Sequence, residues 1–351
     1  MKSLLPVTIV LPILNCVEKL GEHLDQLKPT LERIEAVVVV DSHSIDGSLE
    51  LVRDRIRHPQ VQFLSVPPGL YAAWNSGIEA AQTAYVCIST IGDWISPDGL
   101  DHLVEVAESF SADVVISPPR CVDSARRISE LRQFPIHQLL ASGRVSKPLP
   151  LPPWLAFTLA TGFSIESLLG SSASNLYRSR CLQQEPFPTD FGKAGDTAWF
   201  RRVALELRIA ITPLTVADFL LDQDHGCKEP GEVSKLLESL NQISDEALHQ
   251  WKQSHSEEAG AIEFLNAWRD LQGASPEKTL DAIRHLEGIA ATNEQQRAYI
   301  EELQEEIQKM RGVMELLDTT CAERLRTVEA LEATSGAEML SQALKKLFGG
   351  K

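Results

Sequence analysis

Three short apolar runs decide the fold, and they read Val7-Thr8-Ile9-Val10-Leu11, Val37-Val38-Val39-Val40 and Tyr85-Val86-Cys87-Ile88. The runs are rich in β-branched residues, and turn residues bound each of them. Such runs are typical of strands that are buried on both faces of a parallel sheet. Segments with helical spacing alternate with them. This order predicts an α/β fold with a doubly wound, mostly parallel central sheet.

Polar side chains follow each of the three runs. Asn15 comes after the first run, Asp41 directly after the second, and Asp93 shortly after the third. In open α/β sheets, ligands bind beyond the carboxyl ends of the strands. We therefore expect Asn15, Asp41 and Asp93 to converge on one cleft, although they lie far apart in the sequence.

The composition excludes several classes of protein. A net charge of −16 over 351 residues argues against nucleic acid as a partner, because nucleic-acid binding needs a basic surface. The six cysteines are scattered without a C-x-x-C pair, so we expect reduced thiols and neither a disulfide framework nor a metal cluster. No signal-peptide pattern and no window of about 18 apolar residues is found. We expect a cytoplasmic protein, with a peripheral position at the inner face of the membrane left open.

The chain is expected to fall into three regions. A break at Gly226–Glu232 separates an α/β domain over residues 1–225 from a helical extension over residues 226–290. Residues 291–348 form the third region, a coiled coil with a C-terminal tail. From Ile300 to Leu331, apolar residues alternate at spacings of three and four, with only Arg324 as an exception. This seam predicts a homo-oligomer or docking on a partner helix.

Four motifs stand in a defined order along the α/β domain. The first is the strand that ends at Pro12 and Asn15. The other three read Asp41-Ser42-His43-Ser44-Ile45-Asp46-Gly47, Gly69-Leu70-Tyr71-Ala72-Ala73-Trp74-Asn75-Ser76-Gly77-Ile78 and Thr90-Ile91-Gly92-Asp93-Trp94-Ile95-Ser96-Pro97-Asp98. They are similar to D-D-G-S-T-D-G, G-L-x-x-A-R-N-x-G-I and D-x-D-D-W-L-x-P-D of the family 2 glycosyltransferases. Ser174–Arg178 and Gly195–Trp199 resemble the acceptor half of these enzymes, so the resemblance covers residues 5–225.

The resemblance implies the GT-A nucleotide-diphospho-sugar transferase fold, followed here by a helical region and a coiled coil. It also implies a UDP- or GDP-sugar donor and transfer with inversion at the anomeric carbon. Asp41 would accept a hydrogen bond from the nucleobase. Its other interpretation is a turn cap with Ser44, and Asn75 would either lie near the donor or cap its own helix. The nucleotide-sugar-binding residues implied are Pro12, Asn15, Asp41, Ser44, Asn75 and Asp93.

Asp196 is the general base that the resemblance implies. An inverting transfer needs a carboxylate opposite the departing diphosphate, within hydrogen-bond reach of the acceptor hydroxyl. The other interpretation is an N-cap of the helix that follows Asp196, and the two roles are compatible. The acceptor would be a glycan, a lipid-linked sugar or a polysaccharide, as in the synthesis of cell-surface polysaccharides.

The metal motif departs from the family pattern. Thr90 and Gly92 occupy its first two acidic positions, so only Asp93 remains to hold Mg²⁺ or Mn²⁺. Trp74 stands where the family usually has Arg, so a positive charge is missing as well. Metal-independent transfer is therefore also open. A second interpretation is a catalytically degenerate binding or scaffold module on the same fold, which oligomerises through its coiled coil.

Overall fold

The computed structural model describes residues 3–129, 134–141, 145–162, 167–221, 230–257, 260–262 and 265–266. It divides the chain into two compact units, residues 1–140 with 145–226 and residues 141–144 with 227–351. The predicted coiled coil over residues 291–348 lies outside the described residues, as do residues 267–290 of the predicted helical extension. None of the described helices combines the length and the apolar character needed to cross a lipid bilayer.

The first half of the first unit alternates strands and helices, as predicted. Its elements are β1 (Leu5–Ile13), α1 (Val17–Leu31), β2 (Ile34–Asp41), α2 (Ser48–Arg55), β3 (Val61–Ser65), α3 (Leu70–Ala80), β4 (Tyr85–Ile88), β5 (Trp94–Ile95), α4 (Pro97–Ser109) and β6 (Val114–Ile116). The three apolar runs are β1, β2 and β4, and most of their side chains are buried. The α/β class predicted from these runs is confirmed.

The second half of the chain has shorter and less regular elements. They are β7 (Arg120–Val122), α5 (Pro135–Ala141), β8 (Leu149–Leu151), α6 (Pro153–Thr161), a 3₁₀ turn at Ser172–Ser174, β9 (Asn175–Arg178), α7 (Ser179–Gln184), a 3₁₀ turn at Gly192–Ala194, α8 (Gly195–Val203), β10 (Ile209–Ile211), β11 (Ala217–Leu220) and α9 (Pro230–Ser254). The last of these, α9, belongs to the second unit.

The central sheet has the strand order β3-β2-β1-β4-β9-β6-β10-β8. Its strands share one direction except β9 and β8, which run antiparallel to their neighbours. The prediction of a mostly parallel sheet is therefore confirmed. A second sheet has the order β5-β11-β7. Because β1 lies between β2 and β4, the carboxyl ends of these three strands meet at one edge, which we call the carboxyl edge.

Helix α3 lies unusually close to the central sheet. A Cβ atom added at Gly77 would lie 2.4 Å from Val10 Cγ1, a distance that real Cβ atoms essentially never show, and a tight 3.0 Å from Val40 Cγ2. The glycine therefore allows α3 to pack directly on β1 and β2. This contact holds the first turn of α3, with Tyr71 and Trp74, at the carboxyl edge.

We expect Gly77→Ala to lower the free energy of unfolding by about 1–3 kcal/mol, because overpacking forces the helix away from the sheet. The matched control is Gly21→Ala in α1, where nothing lies within 4 Å of the added Cβ. That change should stabilise the protein by up to about 1 kcal/mol, since alanine favours a helix over glycine. Denaturant unfolding measures both variants, and equal stabilities would contradict this account of the α3 contact.

Candidate active site at the carboxyl edge

The loops that follow β1 and β2 are joined by hydrogen bonds. The backbone N–H of Asn15 donates to Ser44 Oγ over 3.1 Å, and the N–H of Ile45 donates to Asn15 Oδ1 over 2.9 Å. Asn15 has a φ of 46°, a left-handed conformation that asparagine tolerates better than most residues. The structure thus brings Asn15 and Ser44 together, while Pro12 lies half-buried in β1 opposite Val40.

Asp41 closes the turn that carries Ser44. The N–H of Ser44 lies 3.2 and 3.3 Å from the two carboxylate oxygens of Asp41, so the expected turn contact is present. Asp41 is the last residue of β2 and pairs with Ile13 in the sheet register. Its carboxylate therefore lies at the carboxyl edge, beside the contact between Asn15 and Ser44.

Asp46 anchors the far end of the same loop. Its Oδ2 accepts from the N–H of Val17 over 3.0 Å, and its Oδ1 accepts from the N–H and hydroxyl of Ser48. The hydroxyl of Ser48 holds the pKa of the Asp46 carboxyl below its usual range. These bonds attach the start of α1 to the start of α2. Asp46 aligns with the third aspartate of the family motif D-D-G-S-T-D-G.

Asp196 lies in the first turn of α8, half-buried and within reach of α3. Its Oδ1 accepts a 3.1 Å hydrogen bond from the Tyr71 hydroxyl and a 2.7 Å bond from the backbone N–H of Thr197. Burial raises the pKa of the Asp196 carboxyl, and these two bonds oppose that shift. Helix α8 begins at Gly195, and its N-cap is Ala194. The alternative interpretation of Asp196 as the N-cap is therefore wrong.

Tyr71 lies in the motif Gly69–Ile78, but the sequence predicted no role for it. A Cβ atom at Gly195 would lie 2.5 Å from the Tyr71 ring, so glycine at position 195 allows the tyrosine to pack against the start of α8. The Tyr71 hydroxyl also lies 3.1 Å from the carbonyl oxygen of Lys193. Contacts between helix α3 and the segment before α8 therefore fix the position of Asp196.

Asn75 makes a contact that neither of its interpretations anticipated. Its Nδ2 donates to the carbonyl of Phe187 over 2.7 Å, and the N–H of Phe187 donates to its Oδ1 over 3.0 Å. The amide thereby satisfies one backbone unit 112 residues further along the chain. The Phe187 ring packs against Tyr71 and Trp74 with centroid distances of 5.7 and 5.6 Å. In this structure Asn75 positions the segment that leads to Asp196.

Asp93 is buried, with protein donors on both carboxylate oxygens. Oδ2 accepts from the hydroxyls of Thr90 and Ser171 over 2.7 and 3.1 Å, and Oδ1 accepts from the N–H of Leu220 over 3.0 Å. Burial raises the pKa of Asp93 to about 6, and these hydrogen bonds oppose the shift. The contacts of Asp93 are therefore with the loop after β4, the 3₁₀ turn and β11, whereas Asn15 and Asp41 both contact Ser44.

Comparison with known proteins decides the family. A sequence model described as "Glycosyl transferase family 2" matches residues 8–206. The chain belongs to glycosyl transferase family 2. A curated relative, "Glycosyltransferase GlyA" of Streptococcus pneumoniae serotype 4 (strain ATCC BAA-334 / TIGR4), is 29% identical over 113 residues. That match covers 31% of this chain and spans 16% of the length of the relative.

Two solved structures share the fold of this family 2 chain. One is S. aureus TarS 1–349 in complex with UDP-GlcNAc, with a TM-score of 0.55, 13% identity, and coverage of 90% of this chain and 92% of TarS 1–349. The other is the mannosyltransferase PcManGT from Pyrobaculum calidifontis in complex with GDP-Man and Mn²⁺. It has a TM-score of 0.50, 18% identity, and coverage of 99% of this chain and 88% of PcManGT. The predicted GT-A fold is thus confirmed.

The side chains at the metal motif do not fit a cation held by carboxylates. Thr90 and Gly92 offer no carboxylate, and Asp93 already accepts three hydrogen bonds from the protein. In the part of the chain that the structure describes, no group of three or more His, Cys, Asp or Glu side chains could hold a metal ion. The prediction of Asp93 as a metal ligand is therefore not supported by its surroundings.

A cavity of about 640 Å³ lies on the second sheet. Its lining includes Trp94, Arg120 and Asp218, and none of the predicted site residues belongs to that lining. Asp218 pairs with both Trp94 and Arg120 in the sheet register, and it forms a 2.7 Å ion pair with Arg120. We assign the candidate active site to the carboxyl edge, because the family motifs and Asp196 meet there.

Proposed function

We propose that this chain is an inverting glycosyltransferase that moves a sugar from a nucleotide-diphospho-sugar to a hydroxyl group, with Asp196 as the general base. The observation that carries this proposal is the contact between the Asp196 carboxylate and the Tyr71 hydroxyl. It joins the acceptor half of the family pattern to the motif helix α3. A carboxylate fixed in this way supports proton abstraction from a bound acceptor.

The hydrogen bonds of Asp196 leave its second carboxylate oxygen available to accept a proton. Within the described part of the chain, its hydrogen bonds go to Oδ1. Oδ2 is then the atom for the acceptor proton. The raised pKa makes the carboxylate a stronger base than an exposed aspartate, because burial disfavours its charge. The position in the first turn of α8 favours the negative charge of the carboxylate.

The proposed transfer is a single displacement. The acceptor oxygen attacks the anomeric carbon on the face opposite the diphosphate, and its proton passes to Asp196. The new bond joins the acceptor oxygen to the anomeric carbon, while the bond from that carbon to the phosphate oxygen breaks. The nucleoside diphosphate leaves with the bonding electron pair, so the anomeric configuration is inverted.

The donor would bind where the loops after β1 and β2 meet. Asp41, at the end of a buried strand, is our candidate for the nucleobase contact, with Asn15, Ser44 and Pro12 shaping the pocket. TarS with UDP-GlcNAc and PcManGT with GDP-Man support a uridine or guanosine donor. We assign Asn75 to positioning, since its amide is used on Phe187. The acceptor we propose is a glycan, a lipid-linked sugar or a polysaccharide.

A second candidate function is a binding or scaffold module that holds nucleotide-sugar without transferring it. The observation in its favour is the replacement of two acidic motif positions by Thr90 and Gly92. Such a module would bind donor at the carboxyl edge and oligomerise through the predicted coiled coil. Release of nucleoside diphosphate in the presence of an acceptor separates the two functions, because only a transferase produces it.

We expect Asp196→Asn to reduce sugar transfer by about 10²–10⁴-fold without weakening donor binding, because an amide cannot take the proton. The matched control is Asp190→Asn, an exposed aspartate on the loop before α8, which should transfer at the wild-type rate. Rates of nucleotide release and calorimetric donor affinity are measured together. Normal turnover in Asp196→Asn would show that Asp196 is not the base.

We expect Tyr71→Phe to move the acidic limb of the rate–pH profile to higher pH. The Tyr71 hydroxyl stabilises the Asp196 carboxylate and so lowers its pKa. Without it the pKa rises further, so the base becomes protonated and activity is lost at a higher pH as the pH falls. The measurement is transfer rate against pH for both proteins. A limb that stays in place or moves to lower pH would contradict this role of Tyr71.

A further inference from the structure

We call the loop between β4 and β5 the motif loop. Thr90 and Gly92 replace two of its acidic residues, and a guanidinium group from another segment contacts it. Arg126 follows β7 and reaches the loop between β4 and β5, where its Nη1 donates to the carbonyl oxygen of Gly92 over 2.9 Å. Gly92 occupies a position that is acidic in the family motif. The guanidinium of Arg126 therefore lies next to a position where the family motif has a metal-binding carboxylate.

Side chains of α1 anchor the Arg126 guanidinium, but two of its N–H groups remain available to a ligand. Its Nε donates to Glu22 Oε1 over 3.1 Å, and its Nη2 donates to Gln26 Oε1 over 2.9 Å. A guanidinium has five N–H groups, and the hydrogen bonds to described residues use three of them. The side chain is 26% exposed, so a ligand can reach the remaining N–H groups. Glu22 is 61% exposed, so water screens its charge.

The backbone around Arg126 is built to present this side chain. Arg126 has a φ of 61°, a left-handed conformation that is unfavourable for a residue with a Cβ atom. Its N–H donates to the carbonyl of Asp123 over 2.9 Å, and the Asp123 carboxylate accepts from the N–H groups of Ala125 and Arg127. This tight turn fixes the strained residue. Strain of this kind tends to occur at ligand-binding positions.

Histidine does not supply the charge at this loop. His23 is fully buried between Ser89 Oγ, at 3.1 Å, and the N–H of Gly92, at 3.3 Å. Burial, followed by the charge of Arg126, lowers the pKa of His23 to about 4, so His23 is neutral near pH 7. Trp74, in place of the usual arginine of α3, brings no charge either. Among the residues that the structure describes, Arg126 is the one that brings a positive charge into hydrogen-bond contact with the motif loop.

We propose that Arg126 binds the diphosphate of the nucleotide-sugar and that the donor binds without a divalent cation. The inference rests on the proposed function, because it concerns the donor of that reaction. A guanidinium matches the oxygens of a phosphate with parallel hydrogen bonds. When the bond to the anomeric carbon breaks, the electron pair stays on the phosphate oxygen, and Arg126 stabilises that charge.

The test is calorimetric binding of UDP and of GDP to the full chain, in EDTA and in Mn²⁺. For the nucleotide that binds, we expect the wild-type affinity to be the same in both buffers within about twofold. Arg126→Gln should weaken that affinity by about 10- to 100-fold, since it removes charge-assisted hydrogen bonds. Arg126→Lys should retain part of the affinity because it keeps a point charge.

The matched control is Arg127→Gln, the neighbouring arginine, whose side chain is 79% exposed. It should bind the nucleotide as the wild type does. Uridine and guanosine form a second control, because they lack phosphates and should bind equally to wild type and Arg126→Gln. Melting temperatures identify any variant that fails to fold, and in that case Arg126→Lys takes its place.

Four results would overturn the inference. One is a diphosphate affinity of Arg126→Gln equal to that of the wild type. Another is a nucleoside affinity that falls as far as the diphosphate affinity, which would make the role of Arg126 structural. The third is a wild-type affinity that Mn²⁺ raises tenfold or more, which would overturn only this inference and leave the proposed function standing. A wild type that binds neither UDP nor GDP would overturn both.

Discussion

The buried carboxylate of Asp93 is the contact on which the position of the loop after β4 depends. It joins Thr90 on the loop after β4, Ser171 before the 3₁₀ turn and the backbone of Leu220 in β11. Three segments that are distant in sequence thus meet at one group. A buried carboxylate persists only when hydrogen bonds satisfy its oxygens, and the loss of any partner would leave a costly unpaired group. The motif loop is consequently held by the protein itself.

Helix α3 positions the proposed base, Asp196, relative to the central sheet. Gly77 lets the helix lie on β1 and β2, Asn75 fixes the backbone of Phe187, and Tyr71 holds Asp196. Successive turns of one helix thus contact the sheet, the segment before α8 and the proposed base. The family motif in α3 therefore has a structural role. A change in the packing of α3 would move Asp196 relative to the donor pocket.

Much of the fold could be predicted because its signals are local. The β-branched runs of β1, β2 and β4 and the amphipathic spacing of α1 lie within single elements. The placement of Asn15 and Asp41 around Ser44 followed from the general rule on parallel strands, whereas the separate contacts of Asp93 did not. The contact of Asn75 with Phe187, 112 residues away, has no local signal. Likewise Arg126 lies in a tight turn, where periodicity indicates nothing, and β9 is too short for its direction to be read.

The most direct test of the active site is a crystal structure of the full chain with bound UDP or GDP. The account predicts that the base lies against Asp41 and that the diphosphate lies beside Gly92 and Arg126. It also predicts that Asp196 faces the position of the missing sugar. A nucleotide bound in the cavity on the second sheet, or bound at the carboxyl edge with its phosphates turned away from Asp196, would contradict it.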